Sequence, residues 1–240
     1  MLVPEEKMVT TNPLSDVIRD FERVSPDVVR QAGAFQAAIL ADVAGRRGTL
    51  HGRIRALDPS MTIAGPALTV EVRPGDNLMI HAAMSLAKPG DVLVIDGKGD
   101  QTCALMGAIM VNQCKAIGIA GVVLDAAIRD SEEIRGMKFP VFSVGTNPNG
   151  PTKFVPGRIN HPVCVGGISI SPGDLIVADA DGVVVVERHK AAAMLPLAAK
   201  KLADETARID AIRKAKSGLR PAWLDGALRA AGVLGEGETL

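Results

Sequence analysis

Apolar runs rich in β-branched residues alternate with helix-like segments through the middle of the chain, and this alternation constrains the fold most. A short apolar run bounded by glycine or proline predicts a strand, and apolar residues recurring every three or four positions predict a helix. Strands joined by long helical crossovers form a partly parallel sheet that is buried on both faces. The predicted strands are 63–72, 90–97, 120–126 and 139–145, and the helices between them are 75–87 and 101–118.

Further helices and an antiparallel section flank this core. Ser25 before Pro26 is typical of a helix start and predicts a helix over 26–43, and another is predicted to begin near Leu14. Short strands with frequent turns follow the loop 145–157, and one pair reads as a hairpin around Asp181 and Gly182. The segment Arg188–Lys216 is predicted to be helical. We therefore expect an arm at 1–13, one α/β domain over 14–216 that ends in a helix, and a tail at 217–240.

Composition excludes several classes of function. Lysine plus arginine equals aspartate plus glutamate at 27 each, and only 2% of residues are aromatic, which argues against a nucleic-acid partner. No apolar run has the length of a membrane span, and the N-terminus lacks the pattern of a signal peptide. Cys103, Cys114 and Cys164 are odd in number and widely spaced, so we expect reduced thiols. A cytoplasmic protein without a membrane or nucleic-acid partner is predicted.

Familiar cofactor motifs are missing from the sequence. The segment DGKGD at 96–100 lacks the spacing of a phosphate-binding loop and is interpreted as a turn. No nucleophile elbow marks a serine-based triad. The four histidines (His51, His81, His161 and His189) share no metal-ligand spacing, so each is expected to be a surface residue or a satisfied core residue.

Arg129 and Asp130 stand out because an apolar run delivers them together. In a sheet of parallel strands, ligands bind beyond the carboxyl ends of the strands. An arginine at that place can hold a carboxylate through two hydrogen bonds, and an aspartate offers hard oxygen to Mg²⁺ or Mn²⁺. The pair therefore suits a metal-chelated oxo-acid. The alternative is an exposed ion pair at the start of a loop.

A resemblance to one known family is carried by four segments: TVEV…GDNLMIHAAMSLAKPGDVLVIDGKGD, MGAIMVNQCKAIGIAGVVLDAAIRD, FPVFSVGTNPNGPTK and SPGDLIVADADGVVVV. The family comprises the class II pyruvate aldolases that cleave 4-hydroxy-4-methyl-2-oxoglutarate and 4-carboxy-4-hydroxy-2-oxoadipate, together with the protein inhibitors of ribonuclease E. The resemblance covers roughly residues 35–215, in order and with compatible spacing. It implies a β/β/α swivelling-domain (RraA-like) fold, assembled as homotrimers or homohexamers with active sites between protomers.

The resemblance assigns roles to particular residues. The aldolases carry Gly-Asp or Gly-Glu, twenty residues, and then Arg-Asp, and Gly107 and Arg129-Asp130 match this motif. Arg129 would bind the oxo-acid and stabilise its enolate, and Asp130 would coordinate the divalent metal, Mg²⁺ or Mn²⁺. The other implied contacts are the backbone amides of Ile109 and Met110, which would hold the pyruvyl carboxylate, and Glu205 of the partner subunit, which would reach the water shell of the metal.

Position 108 departs from the motif, because Ala108 stands where the aldolases have a carboxylate that holds water of the metal shell. Loss of such a group weakens metal affinity or activity roughly 10–100-fold. Asp100 or Asp125 could take its place in space.

The expected function is that of a divalent-metal-dependent lyase. It would cleave a C–C bond in a 4-hydroxy-2-oxo di- or tricarboxylic acid and release pyruvate, with oxaloacetate decarboxylation as a side activity and without a lysine Schiff base. Two alternatives stay open: a non-catalytic protein of the ribonuclease-regulator type, and a lyase acting on another oxo-acid.

Overall fold

The structure is a computed structural model, and it describes residues 16–215 and 220–240. The predicted arm at 1–13 and the predicted helix start at Leu14 lie outside these residues. The chain forms two compact units, one that ends at Ala199 and one that covers Lys200–Leu240. The helices are α1 (Pro26–Ala32), α2 (Ala37–Val43), α3 (Leu78–Met84), α4 (Ala108–Ile117), α5 (Ser131–Met137), α6 (Arg188–Ala215) and α7 (Leu224–Ala230). The strands are β1 (Asp16–Val17), β2 (Arg55–Ala56), β3 (Ile63–Glu71), β4 (Val92–Met106), β5 (Gly121–Ile128), β6 (Val141–Thr146), β7 (Arg158–Ile159), β8 (Val163–Val165), β9 (Ile168–Ile170), β10 (Leu175–Asp179) and β11 (Gly182–Val186).

Four parallel strands in the order β3-β4-β5-β6 form the centre of the sheet. Antiparallel strands continue it, with β7 beside β3, β2 beside β6, and β10 paired with both β3 and β11. The strands β8 and β9 form a separate hairpin. The predictions of a partly parallel α/β sheet, and of a hairpin at Asp181 and Gly182, are therefore confirmed.

Both faces of the parallel strands are buried, because successive side chains of a strand point to opposite faces. On β4, Leu93 and Ile95 belong to one apolar cluster, together with side chains of α3, α4 and α5. Val92 and Val94 point the other way into a second cluster, which contains side chains of β8–β11. Burial on both faces explains why the strands read as continuous apolar runs rather than as alternating ones.

Two predictions for the N-terminal segments were wrong. The segment expected to be helical after Leu14 contains β1, in which Asp16 and Val17 pair in parallel with β7. The single helix predicted over 26–43 is two helices, because the chain leaves helical geometry after Gly33 and begins again at Ala37. The Ala37 N–H donates to Asp179 Oδ2 at 2.8 Å, so a distant residue stabilises the second start.

The helix predicted over 101–118 was partly wrong as well, and the error bears on the site. Strand β4 continues to Met106, since Ala104 and Met106 pair with Ala127 and Ile128 of β5, and α4 begins only at Ala108. A continuous apolar run is compatible with either a buried strand or a buried helix. Similarly, the helix predicted over 75–87 is the shorter α3. The tail at 217–240 contains the short helix α7.

None of the helices within residues 16–215 and 220–240 is both long enough and apolar enough to cross a membrane.

Candidate active site

The two halves of the Gly107…Arg129-Asp130 pattern meet at the carboxyl end of the parallel sheet. Strands β4 and β5 are neighbours, and their last residues, Met106 and Ile128, are paired. The Arg129 N–H donates to the Met106 carbonyl at 3.0 Å, which ties the two strand ends together. The twenty residues between the halves form α4, the turn after it and β5, so their spacing is that of one βα crossover.

Gly107 is required by the close approach of Asp130. A Cβ atom at position 107 would lie 2.5 Å from Asp130 Oδ2 and 3.0 Å from Arg129 Cγ, well inside van der Waals contact. The next N–H, that of Ala108, donates to Asp130 Oδ2 at 3.0 Å. The glycine therefore allows the carboxylate to reach the backbone at the start of α4.

The guanidinium of Arg129 has no hydrogen-bond acceptor among the described residues and forms only a long ion pair with Asp130. Its guanidinium lies against two glycines, since a Cβ atom on Gly150 would be 2.9 Å from Nη1 and one on Gly107 would be 3.2 Å from Nε. Its nearest carboxylate atom is Asp130 Oδ2, 3.9 Å from Nε, and no residue within 16–215 or 220–240 accepts a hydrogen bond from it. The side chain is 42% exposed, so the guanidinium is available to an anionic ligand.

The first turn of α4 offers free backbone donors to the same space. The first hydrogen bond that closes within this helix runs from the Val111 N–H to the Gly107 carbonyl at 3.1 Å. In the described part of the chain, the N–H groups of Ile109 and Met110 have no acceptor. Free N–H groups at the start of a helix bind carboxylate and phosphate, because they donate hydrogen bonds along the helix dipole.

These groups face a cavity of about 130 Å³. The structure thereby brings together Gly107, Ile109, Met110, Arg129 and Asp130, which the sequence analysis had named, and it adds side chains from α3 and from the loop after β6. The residues that line the cavity are Asn77, His81, Leu105, Met106, Gly107, Ile109, Met110, Arg129, Asp130, Pro151 and Lys153. Asn77, His81 and Lys153 were not predicted, although all three lie in segments that carry the family resemblance.

Asn77 and His81 each present a buried polar atom without a partner. Asn77 donates through Nδ2 to the Leu105 carbonyl at 2.8 Å, while its Oδ1 accepts from no described residue. His81 Nε2 is buried and unpaired in the same way. The expectation that every histidine is a surface residue or a satisfied core residue is therefore wrong for His81. Burial, followed by the nearby positive charge of Lys153, lowers the pKa of His81.

Asp76 anchors the loop that carries Lys153. Its Oδ2 accepts from Thr152 Oγ1 at 2.7 Å and from the Phe154 N–H at 2.8 Å, and its Oδ1 accepts from the Leu78 N–H at 3.0 Å. Burial by itself raises the pKa of Asp76, but these hydrogen bonds outweigh it and hold the pKa below its ordinary value. Lys153 is thus placed by the residues on either side of it.

Asp130 can hold a divalent metal with substrate and water as the other ligands. Its Oδ1 accepts from no described residue and the side chain is 40% exposed, so one carboxylate oxygen is free. The described residues contain no group of three histidine, cysteine or acidic side chains that could form a protein cage. Mg²⁺ commonly binds through one or two carboxylates and keeps several waters, so this donor set fits Mg²⁺ or Mn²⁺ that arrives with a chelating substrate.

Neither aspartate considered as a replacement for the missing carboxylate lines the cavity. Asp125 uses both oxygens, since its Oδ1 accepts from Arg53 Nη2 at 3.0 Å and its Oδ2 accepts from the Gly166 N–H at 3.0 Å. Asp100 Oδ1 accepts from the backbone and the hydroxyl of Thr102. Ala108 is only 4% exposed and packs in the apolar cluster of α3–α5.

Glu205 lies in the second compact unit, where its Oε1 is 2.8 Å from Lys201 Nζ. Its predicted role as a ligand that reaches a partner subunit's metal stays a prediction.

Comparison with known proteins places these features in context. Residues 14–185 match the RraA-like family model, described as Aldolase/RraA. A protein of Halalkalibacterium halodurans with the provisional name 4-hydroxy-4-methyl-2-oxoglutarate aldolase is 42% identical over 186 residues, which are 78% of this chain and 89% of that protein.

Two solved structures are similar in fold. Streptomyces coelicolor RraAS2, described as an unusual member of the RNase ES inhibitor RraA family, has a TM-score of 0.72 and 31% identity over 79% of this chain and 99% of its own. The RNA-processing inhibitor RraA of Thermus thermophilus has a TM-score of 0.59 and 26% identity over 63% of this chain and 92% of its own.

Proposed function

The chain belongs to the RraA-like (Aldolase/RraA) family, and from this membership and the chemistry of the cavity we propose that it is a divalent-metal-dependent lyase. It cleaves the C3–C4 bond of a 4-hydroxy-2-oxo di- or tricarboxylic acid and releases pyruvate. The observation that carries the proposal is the Arg129 guanidinium, which has no hydrogen-bond acceptor among the described residues and lines the same small cavity as the first turn of α4 and the Asp130 carboxylate.

In this proposal the pyruvyl half of the substrate is held by the backbone and by Arg129. The free N–H groups of Ile109 and Met110 donate to the substrate carboxylate, and the guanidinium donates to the 2-oxo oxygen. Negative charge grows on that oxygen as the C–C bond breaks, because the bonding electrons move into the enolate. A fixed cation at that place stabilises the transition state more than the substrate, which is the requirement for catalysis.

A bound Mg²⁺ or Mn²⁺ would supply Lewis-acid stabilisation of the same oxygen. Asp130 would hold the ion through Oδ1, while its Oδ2 remains hydrogen-bonded to the Ala108 N–H. The hydrogen bond to Oδ2 fixes the orientation of Asp130 before substrate arrives. Binding of the ion to Oδ1 therefore does not have to immobilise the side chain first.

Lys153 would favour the binding of substrates that carry a second carboxylate. The cavity is lined by two cationic side chains, Lys153 and Arg129, and by one carboxylate, that of Asp130. Because a 4-hydroxy-2-oxo diacid carries negative charge at both ends, we assign Arg129 to the reacting end and Lys153 to the distal carboxylate. Oxaloacetate loses CO₂ through the same enolate, so decarboxylation of oxaloacetate follows as a side activity.

The test is pyruvate release from 4-hydroxy-4-methyl-2-oxoglutarate and from oxaloacetate, followed with Mg²⁺, with Mn²⁺ and with EDTA. We expect release with either ion and none with EDTA. An enzyme that releases no pyruvate from either substrate with either ion does not have the proposed function.

The similarity to RraA structures favours one competing function, that of a ribonuclease regulator without catalysis. The same preparation can be added to an RNase E cleavage assay. Inhibition of cleavage together with absence of pyruvate release would select the regulator.

As parts of our proposal, the chain assembles as a homotrimer or homohexamer in the cytoplasm, and Glu205 of the partner subunit approaches the metal.

A further inference from the structure

A retro-aldol reaction needs a base that takes the proton of the 4-hydroxyl and an acid that protonates the enolate. One group can serve as both. The resemblance gives this chain no carboxylate at position 108, where Ala108 stands. Besides a water bound to the metal, the groups that could handle the proton are then the other side chains of the cavity, if the proposed function holds.

Of the side chains that line the cavity, four can carry charge: His81, Arg129, Asp130 and Lys153. Arg129 has no accessible neutral form, and Asp130 already accepts a hydrogen bond from the Ala108 N–H and is assigned to the metal. The other polar side chain there, Asn77, cannot take up a proton. Only an imidazole changes its protonation near neutral pH without strong perturbation, so the chemistry favours His81.

The geometry of His81 supports the same choice. It lies on α3, one turn after Asn77, and its backbone N–H donates to the Asn77 carbonyl at 3.3 Å. Both residues line the cavity. His81 Nε2 is buried and accepts from no residue in the described ranges. A buried polar atom without a partner carries a desolvation cost, which a ligand hydroxyl in the cavity would remove.

We propose that His81 is the acid–base residue of this site. Nε2 of the neutral ring, with its proton on Nδ1, accepts the proton of the 4-hydroxyl. The O–H electron pair becomes the second bond of the new carbonyl, the C3–C4 pair becomes the enolate double bond, and the 2-oxo oxygen takes the negative charge. The imidazolium then returns the proton from Nε2 to C3, which yields pyruvate and regenerates the neutral ring.

The charges around His81 favour its starting state. Lys153 on the loop after β6 and Arg129 at the end of β5 are positive, Asp130 beside Arg129 is negative, and α4 contributes backbone N–H groups. Burial and Lys153 lower the pKa of His81, so the ring is neutral and able to act as a base at pH 7. Once an anionic substrate neutralises Lys153, the imidazolium becomes easier to form.

The test compares His81→Gln and His81→Asn with the matched control His189→Gln. His189 is an exposed histidine at the start of α6, where it pairs with Glu187. We expect the His81 variants to release pyruvate at least about 100-fold more slowly, and to lose the acid limb of the profile of kcat/KM against pH. His189→Gln should match the wild type in both respects. Circular dichroism melting identifies any variant that does not fold.

A second readout does not depend on turnover. The chain contains four histidines, so imidazole C–H resonances can be assigned by their loss in each His→Gln variant. We expect His81 to titrate below the ordinary histidine pKa, and its pKa to rise when oxalate, a dianion that resembles the enolate, is bound. A His81 resonance that oxalate leaves unmoved would overturn the inference. Equal activity of the wild type and His81→Gln would also overturn the inference, although the proposed function would then stand. A wild type that releases no pyruvate overturns both.

Discussion

The backbone N–H of Ala108 donates to Asp130 Oδ2 at 3.0 Å, so the position at which this chain departs from the aldolase motif is bonded to the residue assigned to the metal. The hydrogen bond involves the backbone at 108 and does not depend on the side chain there. Loss of the motif's first carboxylate therefore leaves the placement of Asp130 intact. If the proposed metal binds, the departure would alter what surrounds the metal rather than where Asp130 lies.

Replacing Gly107 with alanine should damage the site without unfolding the domain. The new methyl group would lie 2.5 Å from Asp130 Oδ2, so the carboxylate has to move and its bond to the Ala108 N–H breaks. We expect pyruvate release to fall by about 10–100-fold, as is typical when a group that positions a metal ligand is lost. Gly136→Ala is the matched control, because that glycine lies in α5 and, apart from its chain neighbours and the backbone of its own helix, no described atom would lie within 4 Å of an added Cβ. The control should keep full activity and gain up to about 1 kcal/mol of stability. Equal activity of the two variants would contradict the assigned role of Gly107.

Ala108→Asp should make stability depend on the metal. Ala108 is buried in the apolar cluster, so an unpaired carboxylate there is expected to lower the melting temperature in EDTA. If position 108 lies beside the metal, Mg²⁺ should restore much of that loss, because binding to the folded state alone stabilises it. Ala108→Asn, which has nearly the same shape without the charge, should melt early with or without Mg²⁺. Identical responses of the two variants to Mg²⁺ would show that position 108 does not reach the metal.

Asp76 should stabilise the protein in a pH-dependent manner. Its pKa is held below the ordinary value, so the stabilisation is fully present above the unfolded-state pKa and is lost as pH falls through the lowered folded-state pKa. We expect Asp76→Asn to lower the free energy of unfolding in urea by about 1–3 kcal/mol at pH 7, since three hydrogen bonds to a charged group are weakened. The difference from wild type should shrink below about pH 4. A difference that stays constant down to pH 2.5 would contradict this account.

Asp125 should be a structural residue. Its side chain is buried and paired with Arg53, whose own side chain is 41% exposed, so solvent weakens the pair. Asp125→Asn is expected to cost about 1–3 kcal/mol of stability and to leave the Mg²⁺ concentration for half-maximal activity unchanged. Asp100→Asn serves as the control at the other aspartate considered for the metal, and it should change neither quantity. A several-fold shift in Mg²⁺ requirement for either variant would place that carboxylate at the metal.

The sequence predicted the parallel sheet well, because strands buried on both faces are long apolar runs with clear ends. It failed where a distant residue decides the local structure. Asp179 completes the start of α2, and pairing with β5 keeps Cys103–Met106 in a strand rather than a helix.

Prediction of the candidate site was incomplete for a similar reason. The Gly107…Arg129-Asp130 motif was visible because its members have fixed spacing along one βα crossover. His81 and Lys153 reach the cavity from other elements, and only the burial and the anchoring of their surroundings identify them. Because neither residue has a sequence pattern of its own, spacing could not have found them.

Formation of a pyruvate enolate next to Arg129 is the central step of the proposed reaction, and NMR measures this step directly through exchange of the C3 hydrogens of pyruvate in D₂O. We expect Mg²⁺-dependent exchange in the wild type and at least about 100-fold slower exchange in Arg129→Lys, since an ammonium ion lacks the fixed geometry of the guanidinium. Arg47→Lys, at an exposed arginine that lines a different cleft, should exchange like the wild type. Exchange in Arg129→Lys at the wild-type rate, or no exchange in the wild type, would contradict the account.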